Sequence, residues 1–384
     1  MPLSTALTLS LFYLASFAVM GVYLPYFNLY LQSLGFGGLQ IAVLTLLLPL
    51  MATLAPTLGG VLADRLRRRR ELVIACSVLA LLSFGLVPAA RSFGAMVAVI
   101  AVYAAVRSPA LPLVEASAME ISAAGGPPYG RMRVWGSLAF IVTALGTGAL
   151  VGARGERAAL RLILALLAVN ALSALLLPRE TVPAAAAKAR SSLRRLVMQP
   201  RVLVFLLACL LSQASHGPYY VFYSIHLEKL GYPPQAIGCL WGVAVGCEII
   251  AMLSMPRVLR RLGTLPTMGA SVLVASARWW ICAATADPLA MVLAQAMHAA
   301  TYAAFHVAAV THTHHLFGEE HRSSGQAVYS SATYGLGNVL GMFLSGVLYD
   351  RTTMANLFAG ASATALLSGL LVVAAARKEA ASGL

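Results

Sequence analysis

The sequence predicts an all-α membrane protein with twelve transmembrane helices in two pseudo-symmetric six-helix bundles. Three observations predict it. Of the 384 residues, 60% are hydrophobic and only 10% are charged, with a mean hydropathy of +0.82, whereas a soluble domain carries about 25% charged residues. Apolar runs recur at the length needed to cross a bilayer, about 20 residues. The second half of the chain also repeats part of the first. Composition alone excludes a soluble enzyme, a nucleic-acid binder, a secreted disulfide scaffold and a disordered chain.

In chain order the spans are expected at residues 5–30, 40–63, 72–90, 95–121, 132–153, 158–178, 202–227, 236–256, 266–286, 289–315, 323–348 and 354–376. The apolar run that opens the chain is too long for one helix, and the turn chemistry of Gly35-Phe36-Gly37-Gly38 divides it. No charge precedes Asp64 and no basic segment leads the first span, so that span is expected to stay in the mature protein rather than be cleaved as a signal peptide. Span four carries Pro109 and Pro112, which free backbone carbonyls and bend a helix where its neighbourhood is polar. Between spans six and seven lies a polar, alanine-rich stretch with six basic residues. The expected organisation is therefore an N-terminal half at 1–178, a basic linker at 179–201 and a C-terminal half at 202–384.

The net charge of +14 follows topology. With the N-terminus inside, nineteen Lys and Arg residues fall on the cytoplasmic side and six on the other, the asymmetry of the positive-inside rule. Both termini are expected in the cytoplasm of a multi-pass protein in a bacterial-type inner membrane. Its basic face would meet anionic lipid headgroups, and no nucleic acid is expected as a partner. The five cysteines show no CxxC or CxxH spacing and are expected to be small buried hydrophobes.

At a constant offset of 196 residues, positions 14–44 match 210–240 at ten of 31 places, including Gly21/Gly217, Tyr23/Tyr219, Gly35/Gly231 and Ile41/Ile237. Internal repeats of this kind mark secondary transporters, with the substrate near the midplane between the repeats.

Several motifs now carry a resemblance. Gly60-Val-Leu-Ala-Asp64-Arg65-Leu-Arg67-Arg68-Arg69-Arg70 resembles the loop motif between spans two and three of the major facilitator superfamily, with Arg67 in place of its second glycine. The resemblance implies a gating role for Gly60, Asp64, Arg65 and Arg69; a plain positive-inside arginine cluster is the competing explanation. The stretches Pro128–Ser137, Gln213-Ala-Ser-His216-Gly-Pro-Tyr219-Tyr220-Val-Phe222, Ile237-Gly238-x2-Trp241-Gly242-x5-Glu248, Ala277-Arg278-Trp279 and Gln295-x2-His298-x2-Thr301 resemble the phenylpropionate-transporter-like group and the lactose permease. Those proteins are proton-coupled symporters. The resemblance implies substrate contacts at Glu115 and Arg133 and proton coupling at Glu248, Arg278 and His298, with Glu115 a further candidate. Thr301 stands where that group carries a proton-bearing glutamate, so the role must pass to Glu248, Glu115 or a histidine.

The residues themselves support part of this. Ionisable groups at bilayer depth cost about 2.5–3.5 kcal/mol each and persist where they pair or line a cavity. Glu248 and Arg278 sit mid-span as a proton or substrate-carboxylate site; a structural ion pair is the alternative, and such a pair gains little over apolar packing. Glu120 is closer to the span end and suits a rim or gating role, Arg133 suits topology as well as binding, and Arg107 suits a cavity or a snorkelling role equally. His298 and His306 are eight residues apart on one helix face, and histidine titrates near neutral pH. Tyr23, Tyr219 and Tyr220 lie in the two repeat-related, aromatic-rich helices, with Asn28 beside Tyr23 and His216 beside the Gly217-Pro218 break; with Trp241 and His306 they complete the expected substrate site. The cluster His312, His314, His315, Glu319, Glu320 and His321 has zinc-type ligands, but an ordinary loop explains it, and no metal or cofactor is expected beyond the proton gradient.

The expectation is a monomeric proton symporter of a small organic solute, an aromatic or other organic acid, working by alternating access. A sugar or nucleoside symporter and a drug–proton antiporter are the alternatives. A membrane enzyme or receptor would need a catalytic cluster or an extramembrane domain, and the sequence offers neither.

Overall fold

The computed structural model describes residues 5–66, 68–178, 193–318 and 320–382, and they are almost entirely helical. The expected linker therefore lies mostly outside the described residues, as do Arg67, Glu319 and the Asp64 side chain.

The helices follow the apolar runs. They are α1 (Thr5–Ser33), α2 (Gly38–Leu66), α3 (Arg69–Phe84), α4 (Phe93–Arg107), α5 (Ala110–Ala123), α6 (Tyr129–Arg154) and α7 (Arg157–Leu175). After the short α8 (Leu193–Val197) come α9 (Pro200–Ala214), α10 (Gly217–Lys229), α11 (Pro234–Leu262) and α12 (Thr264–Ala284). Then follow α13 (Pro288–Ala296), α14 (Phe305–Phe317), α15 (Arg322–Ser330), α16 (Asn338–Tyr349) and α17 (Met354–Ser382). The fourth, seventh, tenth and eleventh expected spans are interrupted helices. Pro109, which has no N–H to give, separates α4 from α5; Gly217 and Pro218 open α10 after α9 ends. Two π-helical turns, Ala299–Ala304 and Ser331–Gly337, join α13 to α14 and α15 to α16.

By length and composition, nine helices among the described residues qualify as membrane-crossing. Segments 264–284, 288–317 and 322–349 do not meet that standard. The first holds Arg278, the second Gln295, His298, His306 and His312, and the third Gln326 and Asn338, so polar side chains interrupt the apolar runs of these segments. Large apolar side chains such as Leu58, Leu253 and Leu289 stand more than 70% exposed, a surface suited to lipid rather than water.

The sequence repeat is a structural repeat. α2 and α11 are both 29 residues long, and Gly35 and Gly231 both take the left-handed conformation, φ 85° and 86°, which glycine adopts without strain. Gly35 N–H donates to Gln32 O at 2.9 Å, and Gly231 N–H to Glu228 O at 2.9 Å. Gly21 presses on Phe140 and Thr143 of α6, as its counterpart Gly217 presses on Gly341 of α16; a Cβ at either place would overlap backbone. The small residues of the last spans thus serve close helix packing.

Contacts divide the chain into two compact units, Met1–Ala185 with Ser224–Gly242, and Ala186–Tyr223 with Val243–Leu384. In the first unit α1 packs along α6 and α7, and Tyr26 donates its hydroxyl to Ala144 O and Pro234 O at 2.9 and 3.1 Å. The second unit has α12 and α9 against α17, around a core that includes Phe205, Met268, Phe305 and Tyr329. Cys76, Cys209 and Cys282 are buried as expected, whereas Cys239 is exposed.

Candidate functional site

The second unit gathers its polar side chains around one arginine. Arg278, on α12, is completely buried. Its Nη1 donates to His298 Nδ1 at 3.0 Å and to Thr301 Oγ1 at 3.1 Å, and its Nη2 to Gln295 Oε1 at 3.4 Å. The rings of Tyr219 and Trp279 lie against the guanidinium, 4.3 and 4.4 Å away, the cation–π geometry that stabilises a desolvated cation. Tyr219 also donates to Gln295 Oε1 at 3.1 Å. Glu248 Oε2 reaches His298 Nε2 at 3.8 Å, with 19% of the Glu248 side chain exposed.

This arrangement assigns the imidazole proton. A guanidinium has only donors, so His298 Nδ1 must accept. A neutral His298 then carries its proton on Nε2, facing Glu248. The buried cation meets His298, Thr301 and Gln295, all neutral acceptors, and the acid stands one ring away.

Local sequence explains how these groups converge. Gln295, His298 and Thr301 are three residues apart on successive turns and so share a face. Gln295 opens the motif that contains His298, and its spacing is the signal that marks it as part of the site. His216 lies behind, its Nδ1 2.9 Å from Ser212 O and its ring edge-on to Trp279 at 4.9 Å, so it supports Trp279. Tyr220 packs on Tyr219 at 5.3 Å. His306 is two turns on, 2.7 Å from the Tyr334 hydroxyl, and joins His298 through the ring of Tyr302.

A second cluster belongs to the first unit. Glu115 on α5 accepts from the Tyr129 hydroxyl at 3.3 Å and lies 3.8 Å from Arg133 Nε on α6. The Arg133 guanidinium covers Phe17 at 3.7 Å, and Tyr13 meets Tyr129 edge-on. Both charged side chains are about a third exposed, 34% for Glu115 and 28% for Arg133. Sequence resemblance pointed to this pair and to the Pro128–Ser137 motif that holds Tyr129, while Phe17 emerges as a partner only from packing.

Tyr23 is buried among Phe27, Phe84 and Tyr103. Asn28 accepts from Thr45 Oγ1 at 3.0 Å, and Trp241 donates to Ser224 Oγ at 3.0 Å; these two bonds occupy equivalent positions of the repeat. Arg107 donates to Ser16 O at 3.2 Å, so it binds a neighbouring helix backbone.

Of the loop motif, Arg69 forms a 3.0 Å ion pair with Glu120 and donates to Ser117 at 3.3 Å. Arg70 donates to Leu177 O and Leu175 O at 2.7 and 2.6 Å, satisfying carbonyls at the end of α7. Arg65 is exposed. A Cβ at Gly60 would meet nothing, while one at Gly59 would strike Pro109, so close approach falls on the earlier glycine. His312 bonds Thr264 at 3.0 Å, and no group of three or more His, Cys, Asp and Glu among the described residues is placed to hold a metal ion.

Comparison with known proteins agrees with this architecture. The MFS_1 like family matches residues 6–359. The protein named Probable 3-phenylpropionic acid transporter of Escherichia coli (strain K12) is 31% identical over 361 residues, 91% of this chain and 93% of that protein. The maltose permease of Geobacillus stearothermophilus is 27% identical over 383 residues, 97% of this chain and 95% of that protein. The crystal structure of the nucleoside transporter NupG shares the fold at a TM-score of 0.83 and 20% identity, covering 97% of this chain and 99% of that one.

Proposed function

Because the chain belongs to the MFS_1 like family and is a multi-pass secondary transporter of the major facilitator superfamily, we propose that it is a proton symporter of a small organic acid, an aromatic one by preference. The observation that carries this reading is the placement of one buried guanidinium, Arg278, one imidazole ring away from a partly exposed carboxylate, Glu248.

A buried cation demands a nearby anion, and in a low-dielectric interior that demand is strong. Ionised Glu248 meets it through His298. When a proton neutralises Glu248, the site is left net positive and favours an anionic substrate. Proton and carboxylate thus assist each other's binding, and a carrier that reorients most readily with both or neither bound performs symport. Tyr219 and Trp279 line the guanidinium with aromatic rings, a setting that suits an aromatic carboxylate. The similarity to the protein named for 3-phenylpropionic acid points to the same class. The proton gradient is the only energy source in this reading, no cofactor takes part, and the protein acts as a monomer in a bacterial-type inner membrane with both termini cytoplasmic.

A sugar is the second reading. Glu115, partly exposed and held by Tyr129 and Arg133, is a carboxylate suited to substrate hydroxyls, and the maltose permease is a relative.

The test is uptake into proteoliposomes under an inward proton gradient, with 3-phenylpropionate, maltose and uridine as solutes. Accumulation of the acid, abolished by a protonophore and by Glu248→Gln while counterflow persists, is the expected result. Uptake indifferent to the protonophore overturns symport; efflux of a cationic dye driven by the gradient would establish the antiporter instead.

A further inference from the structure

His298 cannot pass a proton through its ring while Arg278 holds Nδ1. A proton leaving Glu248 therefore does not travel through that ring, and the π-helical turn sets a second imidazole beyond it. In an α-helix, rings four residues apart are offset by about 40° around the axis. The wider π-turn Ala299–Ala304 removes most of that offset. His298, Tyr302 and His306 consequently form a column of near-parallel rings, 5.3 Å and 13° at the first step, 6.2 Å and 12° at the second. His298 is buried, whereas Tyr302 and His306 are partly exposed. The second π-helix brings Tyr334 to the end of the column, its hydroxyl 2.7 Å from His306 Nδ1. Tyr329 closes the group, its hydroxyl 3.4 Å from the same nitrogen and 3.5 Å from that of Tyr334. π-Turns are rare and concentrate at functional sites; here each of the two contributes a tyrosine, Tyr302 and Tyr334, beside His306.

Resting on the symport reading, we propose that His306 is a second proton station, exchanging the coupled proton between Glu248 and water, with Tyr334 and Tyr329 holding it ready. The step balances as a transfer of one proton. The O–H bond of the Glu248 carboxyl breaks, the proton passes along Tyr302 through water, and an N–H bond forms on His306. Tyr334, whose hydroxyl meets His306 Nδ1 at 2.7 Å, accepts from that nitrogen of the imidazolium and directs its own proton to Tyr329. Other titratable groups facing this cluster are Tyr220 of α10 and Cys209 of α9, both acting on Tyr334; no acidic side chain among the described residues is paired with His306, so its charge lasts only as long as the proton's passage requires.

The test compares net uptake of 3-phenylpropionate driven by a pH gradient with its counterflow, in wild type, His306→Asn and Tyr334→Phe. The expected result is a loss of about tenfold in gradient-driven uptake for His306→Asn. For Tyr334→Phe it is a smaller loss with a displaced pH profile and with counterflow within about twofold. Retained counterflow in Tyr334→Phe, which keeps ring volume, shows that this variant folds. Gradient-driven uptake unchanged in both variants overturns this inference while leaving symport intact. A wild-type protein whose uptake ignores the gradient overturns both.

Discussion

Arg278 donates to His298 Nδ1 at 3.0 Å, and this single bond orders the polar centre of the second unit: it turns the imidazole proton toward Glu248 and sets a ring between the cation and that acid. A lysine at 278 keeps the charge but cannot span His298, Thr301 and Gln295 while stacking on two rings. Arg278→Lys is expected to lower gradient-driven uptake by about tenfold or more. It should also destabilise the protein by about 1–3 kcal/mol, the cost of buried acceptors left unmet. Uptake in proteoliposomes and the Tm in detergent check the two effects separately.

On the symport reading, Glu248 and an anionic substrate compete for the same cation. Above about pH 6, where a carboxylic acid substrate is ionised, Glu248→Gln should therefore bind 3-phenylpropionate about three- to tenfold more tightly than wild type. Counterflow half-saturation decides; equal values for the two proteins remove Glu248 from the coupling.

Arg133 lies over Phe17 as well as beside Glu115. With both charges partly exposed, the ion pair is worth less than about 1 kcal/mol to stability. Arg133→Lys is expected to leave Tm within about 2 °C, the shift a change of this size gives a large chain. KM should nevertheless rise about three- to tenfold, because the ammonium cannot stack as a planar guanidinium does. Transport kinetics alongside a thermal scan separate binding from folding.

Gly217 meets the backbone of Gly341, and Gly246 has open space at its Cβ position. Gly217→Ala should cost about 1–3 kcal/mol, the usual penalty of overpacking, with a matching fall in Tm and in yield. Gly246→Ala should be neutral or slightly stabilising, as replacement of a helical glycine is. Equal Tm values for the two variants would refute the close approach.

Arg69 and Glu120 form the shortest ion pair among the named candidates, 3.0 Å, with Arg69 mostly buried. If the loop motif gates transport, Glu120→Gln should change the uptake rate by about threefold or more while moving Tm little. A purely structural pair would move Tm and leave the rate alone.

Much of the fold was legible in the sequence because it is written in local patterns. Apolar runs foretold helices, the left-handed turn at Gly35 returned at Gly231, and an offset of 196 residues became two matching hairpins with matching bonds at Thr45–Asn28 and Trp241–Ser224. The candidate site was legible in part. Glu248, Arg278 and His298, and separately Glu115 and Arg133, were singled out by motif and do come together. Gln295 was recoverable from its three-residue spacing to His298. So was Tyr129 from the Pro128–Ser137 motif; Phe17 and Tyr334 were not, since one aromatic among many looks like another.

The sequence by itself determined which segments form apolar helices, where they turn, and which rare polar side chains go with them, because hydrophobic cost is reckoned residue by residue. Tertiary structure alone decided what those side chains touch. The rotation of each helix about its axis brings Arg69 to Glu120 across 51 residues of sequence and Arg278 to Thr301 across 23. A π-turn, invisible in composition, aligns three rings that an α-helix would have fanned apart. Such contacts are settled by packing between helices, whose energy is shared among many distant residues and appears in no local window of the chain.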